Sequence, residues 1–120
     1  MVSNRKIGND AVKIVKRYLK KKGWNPTIEN RLIGYDIKAQ QRFIEVKGTR
    51  QSNKNKQYFD LTKGEYNAAR KHKNYWIYWV NTKDKTIIMK ISRKDILLNT
   101  KRFTGYHLHL RDLKRARLKK

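Results

Sequence analysis

Apolar residues recur along residues 4–22 as Ile7, Ala11, Ile14, Val15, Tyr18 and Leu19, the three-and-four spacing of a helix with one buried face. Gly23 and Pro26 end that pattern. The opposite face carries Lys13, Lys16, Arg17 and Lys20. The period then shortens. Residues 25–31 predict a strand, and 33–39 with 42–48 predict two more, joined as a hairpin across Gln40-Gln41. Residues 49–57 are polar, lysine-rich and aperiodic, which predicts a basic loop. Thr62-Lys63-Gly64-Glu65 has the spacing of a capping box and opens a helix running to about residue 73. Strands follow over 75–81 and 86–91, with a turn at Lys83-Asp84-Lys85. Ser92-Arg93-Lys94-Asp95 resembles a second box and opens a short helix, and 103–110 forms a last strand. Helices interleaved with strands in this order predict an α/β fold in which helices flank a mixed sheet. A single domain is expected over residues 1–110, followed by a basic tail over 111–120 with six Lys or Arg in ten positions.

The hairpin carries the chemistry. If it turns about Gln40-Gln41, opposed residues have numbers that sum to 81. Ile37 then faces Ile44 and Tyr35 faces Val46, an apolar side, while Lys38 stands opposite Phe43 and Asp36 opposite Glu45, with Lys47 beside Glu45. Apolar and polar pairings select the same register. The turn is the weak element, because Gln-Gln lacks the positive-φ preference of a two-residue loop. Like charges directly opposed on a ribbon destabilise it. A positive group is therefore expected between Asp36 and Glu45, either Lys47 or a divalent metal. Two carboxylates with a main-chain carbonyl make a hard oxygen site suited to Mg²⁺ or Mn²⁺. An Asp–Glu–Lys salt-bridge cluster without chemistry is the alternative.

Charge changes the picture most. The chain of 120 residues has 32 Lys and Arg against 9 Asp and Glu, a net charge of +23. Such an excess calls for a polyanionic partner, and nucleic acid is the expectation, with DNA preferred to RNA only through the family resemblance given below. The α-helical stripe, Arg50, Lys54 and Lys56 of the loop, and Arg111, Lys114, Arg115 and Arg117 of the tail are the candidate phosphate contacts. The absence of Cys excludes a disulfide scaffold, a zinc-thiolate site and a cysteine nucleophile. No glycine-rich phosphate loop or serine nucleophile signature occurs. With no apolar span or signal segment, an intracellular protein without a membrane partner is expected.

Gly34-Tyr35-Asp36-Ile37, followed by Phe43-Ile44-Glu45-Val46-Lys47-Gly48-Thr49, resembles the D…ExK core of the PD-(D/E)XK nuclease superfamily. Tyr58-Phe59-Asp60-Leu61-Thr62, Glu65, Ala68 and the aromatic strand over 75–80 resemble one branch, the NO VEIN C-terminal-type domain. Archaeal Holliday junction resolvases share the core and are a second relative. The resemblance covers about residues 5–82 and implies a restriction-endonuclease-like core. It implies that Asp36 and Glu45 bind Mg²⁺ or Mn²⁺ with help from the Val46 carbonyl, and that Lys47 positions the attacking water. Some small nucleases of this class pair to cut both strands, so a homodimer is among the expectations. The family pattern also has a Glu in the first helix, four residues after a Gly; counted from Gly8, that position is Val12. Asp10 is the nearest substitute acid, although a helix sets it about 160° from Val12. The expectation is a metal-dependent deoxyribonuclease, and the alternative is a non-catalytic nucleic-acid-binding module on the same fold.

Overall fold

Helix α1 spans Asn4–Lys21, begins at the Ser3 cap, whose hydroxyl accepts from Lys6 N, and buries Ala11, Val15 and Leu19. These residues lie on one stripe, so α1 can cover only one face of a sheet. The computed structural model describes residues 2–29, 33–51, 58–100, 106–109 and 112–113. Strands β1 (Thr27–Ile28), β2 (Ile37–Ala39), β3 (Arg42–Thr49), β5 (Tyr75–Asn81) and β6 (Thr86–Ser92) form one sheet in the order β1-β2-β3-β5-β6. Neighbours are antiparallel except β3 and β5, which run parallel. A parallel pair needs a crossover. Here β4 (Tyr58–Leu61) and α2 (Lys63–Lys71) lie in it. Helix α3 (Arg93–Asn99) follows β6, and β7 (Tyr106–His109) pairs antiparallel with β4 as a second small sheet. The α/β class with a mixed sheet flanked by helices is therefore observed.

The main sheet separates two apolar clusters. Ile37, Ile44, Val46, Tyr78 and Val80 pack with Ala11, Val15 and Leu19 of α1. Tyr75, Ile77, Trp79 and Ile91 pack on the other face with Tyr66 and Ala69 of α2, Ile96 of α3 and Leu108 of β7. Strand β5 is covered on both faces, which explains its unbroken aromatic and aliphatic run. Leu113 is buried in the second cluster, so the chain stays attached to the core beyond residue 110.

One strand is added and two local expectations are corrected. Tyr58–Leu61 is a strand, although nothing in four residues announces it; its partner β7 lies far along the chain. Helix α2 stops at Lys71 because His72 turns extended and caps it. The hairpin register is as expected, with Ile37 opposite Ile44 and Lys38 opposite Phe43, but the regular ladder ends there. Asp36 N donates to Ile44 O at 2.9 Å and the alternation breaks, so Tyr35 turns to the α2 side against Phe43 and His72 rather than toward Val46. The turn itself places Gln40 and Gln41 at φ 48° and 65°, the left-handed conformation that their residue type disfavours.

Candidate active site

The end of the β2–β3 ladder creates the site. In a strand the N–H and C=O of one residue point the same way. Beyond Ile37, no β2 residue stands opposite Val46. The Asp36 carboxylate fills the gap, its Oδ2 accepting from Val46 N at 2.8 Å. The Val46 carbonyl opens on the same side. Gly34 makes the approach to Asp36 possible: it sits at φ +91°, and a Cβ there would lie 2.6 Å from the Ala68 Cβ and 2.8 Å from the Gly64 carbonyl. Its carbonyl accepts from the Tyr75 hydroxyl at 2.6 Å, which ties the segment to β5.

Glu45 and Lys47 project from the α2 side of β3. Lys47 Nζ lies 3.5 Å from Glu45 Oε2 and 2.7 Å from Glu65 Oε1. Glu65 is also the acid of the α2 capping box: its Oε1 accepts from Thr62 N, and its own N donates to Thr62 Oγ1, both at 3.0 Å. One carboxylate thus starts a helix and holds the lysine. Asp36 and Glu65 are the acidic neighbours of Glu45. Two of the chain's 9 acidic residues, Glu45 and Glu65, contact the one Lys47 ammonium.

The electrostatics follow from burial and crowding. Glu45 is 5% exposed, and desolvation, reinforced by the neighbouring Asp36 and Glu65, drives its carboxyl well above the usual range. Burial also raises Asp36, partly offset by the Val46 N–H and by Glu45. For Lys47 burial acts downward, but the carboxyl groups of Glu45 and Glu65 outweigh it and raise its proton affinity. Burial pushes Glu65 up, and Lys47 with the hydrogen bonds from Glu45 and Thr62 brings it below its ordinary value. The Tyr75 phenol, buried beneath the three carboxyl groups, is raised as well. The charged form of Glu45 is therefore disfavoured by its surroundings, and the Lys47 ammonium opposes that effect. The donor set, two carboxyl groups and an open main-chain carbonyl, suits a hard divalent ion. Among the described residues no group of three or more His, Asp or Glu side chains is arranged to hold a metal.

Two openings flank these groups. On the α1 side, Asp36 borders a cleft of about 440 Å³ with Lys13, Lys16, Val12 and Glu29. On the other, Val46, Lys47 and Arg50 line a groove of about 1120 Å³ between the start of α1 and β4. Gly48 lets α1 come close here, since a Cβ would lie 3.0 Å from Ala11 and Ile7 side-chain carbons. The stripe on α1 is divided: Lys13 and Lys16 reach the Asp36 cleft, Arg17 lines a separate cavity with Tyr18 and Lys85, and Lys20 is exposed. Asp10 belongs elsewhere: its carboxylate pairs with Lys6 at 2.7 Å, with Lys13 and Arg50 as further cationic neighbours. Val12 packs against the α1 cluster, so no carboxylate takes its place. Lys54, Lys56, Arg111, Lys114, Arg115 and Arg117 lie outside the described residues. Among the described residues no helix is long and apolar enough to cross a membrane.

Glu65 matches the family pattern in the sequence, where the capping box is read as its role; the structure adds its contact with Lys47. Its fit to the capping pattern accounted for it fully, and only the fold brings it to Lys47. A family model described as Protein NO VEIN, C-terminal matches residues 8–97, which span α1 through most of α3. No curated protein and no solved structure matches the chain.

Proposed function

The chain belongs to the NO VEIN C-terminal family, and from that premise we propose that it is a nucleic-acid-binding domain of the PD-(D/E)XK nuclease superfamily that hydrolyses phosphodiester bonds, with DNA as substrate. The observation that carries this is the meeting of Asp36, Glu45 and Lys47 where the β2–β3 ladder ends, with Lys13 and Lys16 in one adjoining opening and Arg50 in the other. Asp36, Glu45 and the Val46 carbonyl would hold Mg²⁺ or Mn²⁺. The bound ion supplies positive charge and Lewis acidity to a phosphoryl group and its attacking water.

The protein's own groups have separate tasks. Lys47 stays protonated because its carboxyl neighbours raise its proton affinity, so it is a hydrogen-bond donor and fixed positive charge rather than a base. It orients water and offsets charge that develops on phosphate. Glu65 holds the lysine in place through its 2.7 Å contact. Lys13, Lys16 and Arg50 draw the phosphodiester backbone toward the acids by neutralising phosphates.

The second reading is a module on the same fold that binds without cutting, and it has its own support. Val12 is apolar where a helix carboxylate would complete a second metal position, and Lys47 is already engaged by Glu65. Incubating plasmid, single-stranded and branched DNA with Mg²⁺ or Mn²⁺ separates the two. Cleavage that disappears in Asp36→Ala is the expected result. Salt-sensitive binding with no cleavage under either ion establishes the binding-only module, and an Asp36→Ala protein that cuts like wild type removes the proposed chemistry.

A further inference from the structure

Strand β4 presents a feature that the hydrolytic site does not use. Its inward residues Phe59 and Leu61 pack against the core, with Phe59 edge-on to Trp79 at 4.8 Å between ring centroids. Tyr58 alternates outward and is 56% exposed. Among the described residues only Tyr58 and Leu98 are large hydrophobic side chains left in solvent. Tyr58 is not loose, however. It is the cross-strand partner of His109, and the two rings stack at 5.4 Å with 28° between their planes. Tyr58 also lines the groove that contains Val46, Lys47 and Arg50.

We propose that the Tyr58–His109 pair is a stacking platform for an unpaired base of single-stranded nucleic acid lying in the groove between α1 and β4. A rigid aromatic face beside cations, in a chain of net charge +23, matches the way bases and backbone are held together on single-strand binding surfaces. Lys47 and Arg50 line the same groove and give the backbone its path. The groove then leads the strand from Tyr58 to Lys47, so a phosphate a short distance from the stacked base meets the Lys47 ammonium. The inference rests on the proposed function for its ligand class, but it requires binding alone and no cleavage.

The test is fluorescence anisotropy in EDTA, with a short labelled single strand and the blunt duplex of the same length. Tyr58→Leu is expected to weaken single-strand binding about tenfold, the loss of one base–aromatic stack. Tyr58→Phe, which keeps the ring, is expected to bind the single strand like wild type, and duplex affinity is expected to be the same in all three proteins. Unchanged single-strand affinity in Tyr58→Leu overturns the platform, as does an equal loss for duplex and single strand, and in both cases the nucleic-acid reading of the fold stands. Wild-type protein that binds neither nucleic acid overturns the proposed function together with the platform.

Discussion

Replacing Lys47 with methionine keeps an unbranched side chain but removes the ammonium from between Glu45 and Glu65. The three side chains are 18%, 7% and 15% exposed, so solvent does little to screen the loss. Removing one partner of a buried ion pair costs about 3–5 kcal/mol, because the remaining charge is left uncompensated. For a domain of this size that corresponds to a melting temperature roughly 10–25 °C lower at pH 8. The pH dependence fixes the cause. Glu65, lowered mainly by Lys47 against the pull of burial, contributes stability that is present above its ordinary value of 4.5 and lost as pH falls. Without Lys47 that contribution is gone, so the deficit of the variant is largest in alkali and shrinks toward pH 4 as the carboxyl groups take up protons. Adding Glu45→Gln to Lys47→Met removes one of the stranded charges and restores part of the loss. Thermal denaturation followed by circular dichroism at pH 4, 6 and 8 checks this. A Lys47→Met protein that melts at the wild-type temperature at pH 8 refutes the buried-charge reasoning.

Glu45→Gln alone is expected to stabilise the metal-free protein above neutrality and to leave it unchanged in acid. The raised proton affinity of Glu45 means its favourable contribution is complete below 4.5 and lost as pH rises through the folded value; equal wild-type and variant unfolding curves at pH 8 contradict it. Gly34→Ala forces a Cβ into the Gly64 carbonyl at positive φ, and a loss of about 2 kcal/mol or more is expected in urea denaturation. Because Gly34 carries the segment to Asp36, divalent-ion affinity should fall with it. Binding to duplex DNA is expected to weaken about a hundredfold or more between ~50 and ~200 mM NaCl, the counterion release of about four phosphate contacts. A dissociation constant that barely moves over that range removes the electrostatic account.

The register of the β2–β3 hairpin could be read before any coordinates because Ile37–Ile44 and Lys38–Phe43 each match chemically across it. The failure at Tyr35 has a local cause. Alternation holds only while the ladder is regular, and the ladder stops at Asp36 because that side chain takes over the Val46 N–H. The irregularity that misled the pattern is also what brings Asp36 to Glu45. Strand β4 escaped notice for a different reason: its four residues pair with β7 across a long stretch of chain, and short non-local pairing leaves no periodic trace. Glu65 shows the limit of motif reading. A capping box predicts a helix start, as observed, and contains no information about a lysine on another element.

The central claim is that Asp36 and Glu45 share a cation, and calorimetric titration of Mn²⁺ or Mg²⁺ into the metal-free protein tests it most directly. Wild type is predicted to take one ion per chain, and because burial and the neighbouring Asp36 and Glu65 raise the proton affinity of Glu45, binding is predicted to grow tighter as pH rises; repeating the titration in buffers of different ionisation enthalpy measures the proton release that accompanies it. Both the heat of binding and the proton release should vanish in Glu45→Gln. Wild-type protein that takes up neither ion, or a Glu45→Gln protein that binds as tightly as wild type, contradicts the claim.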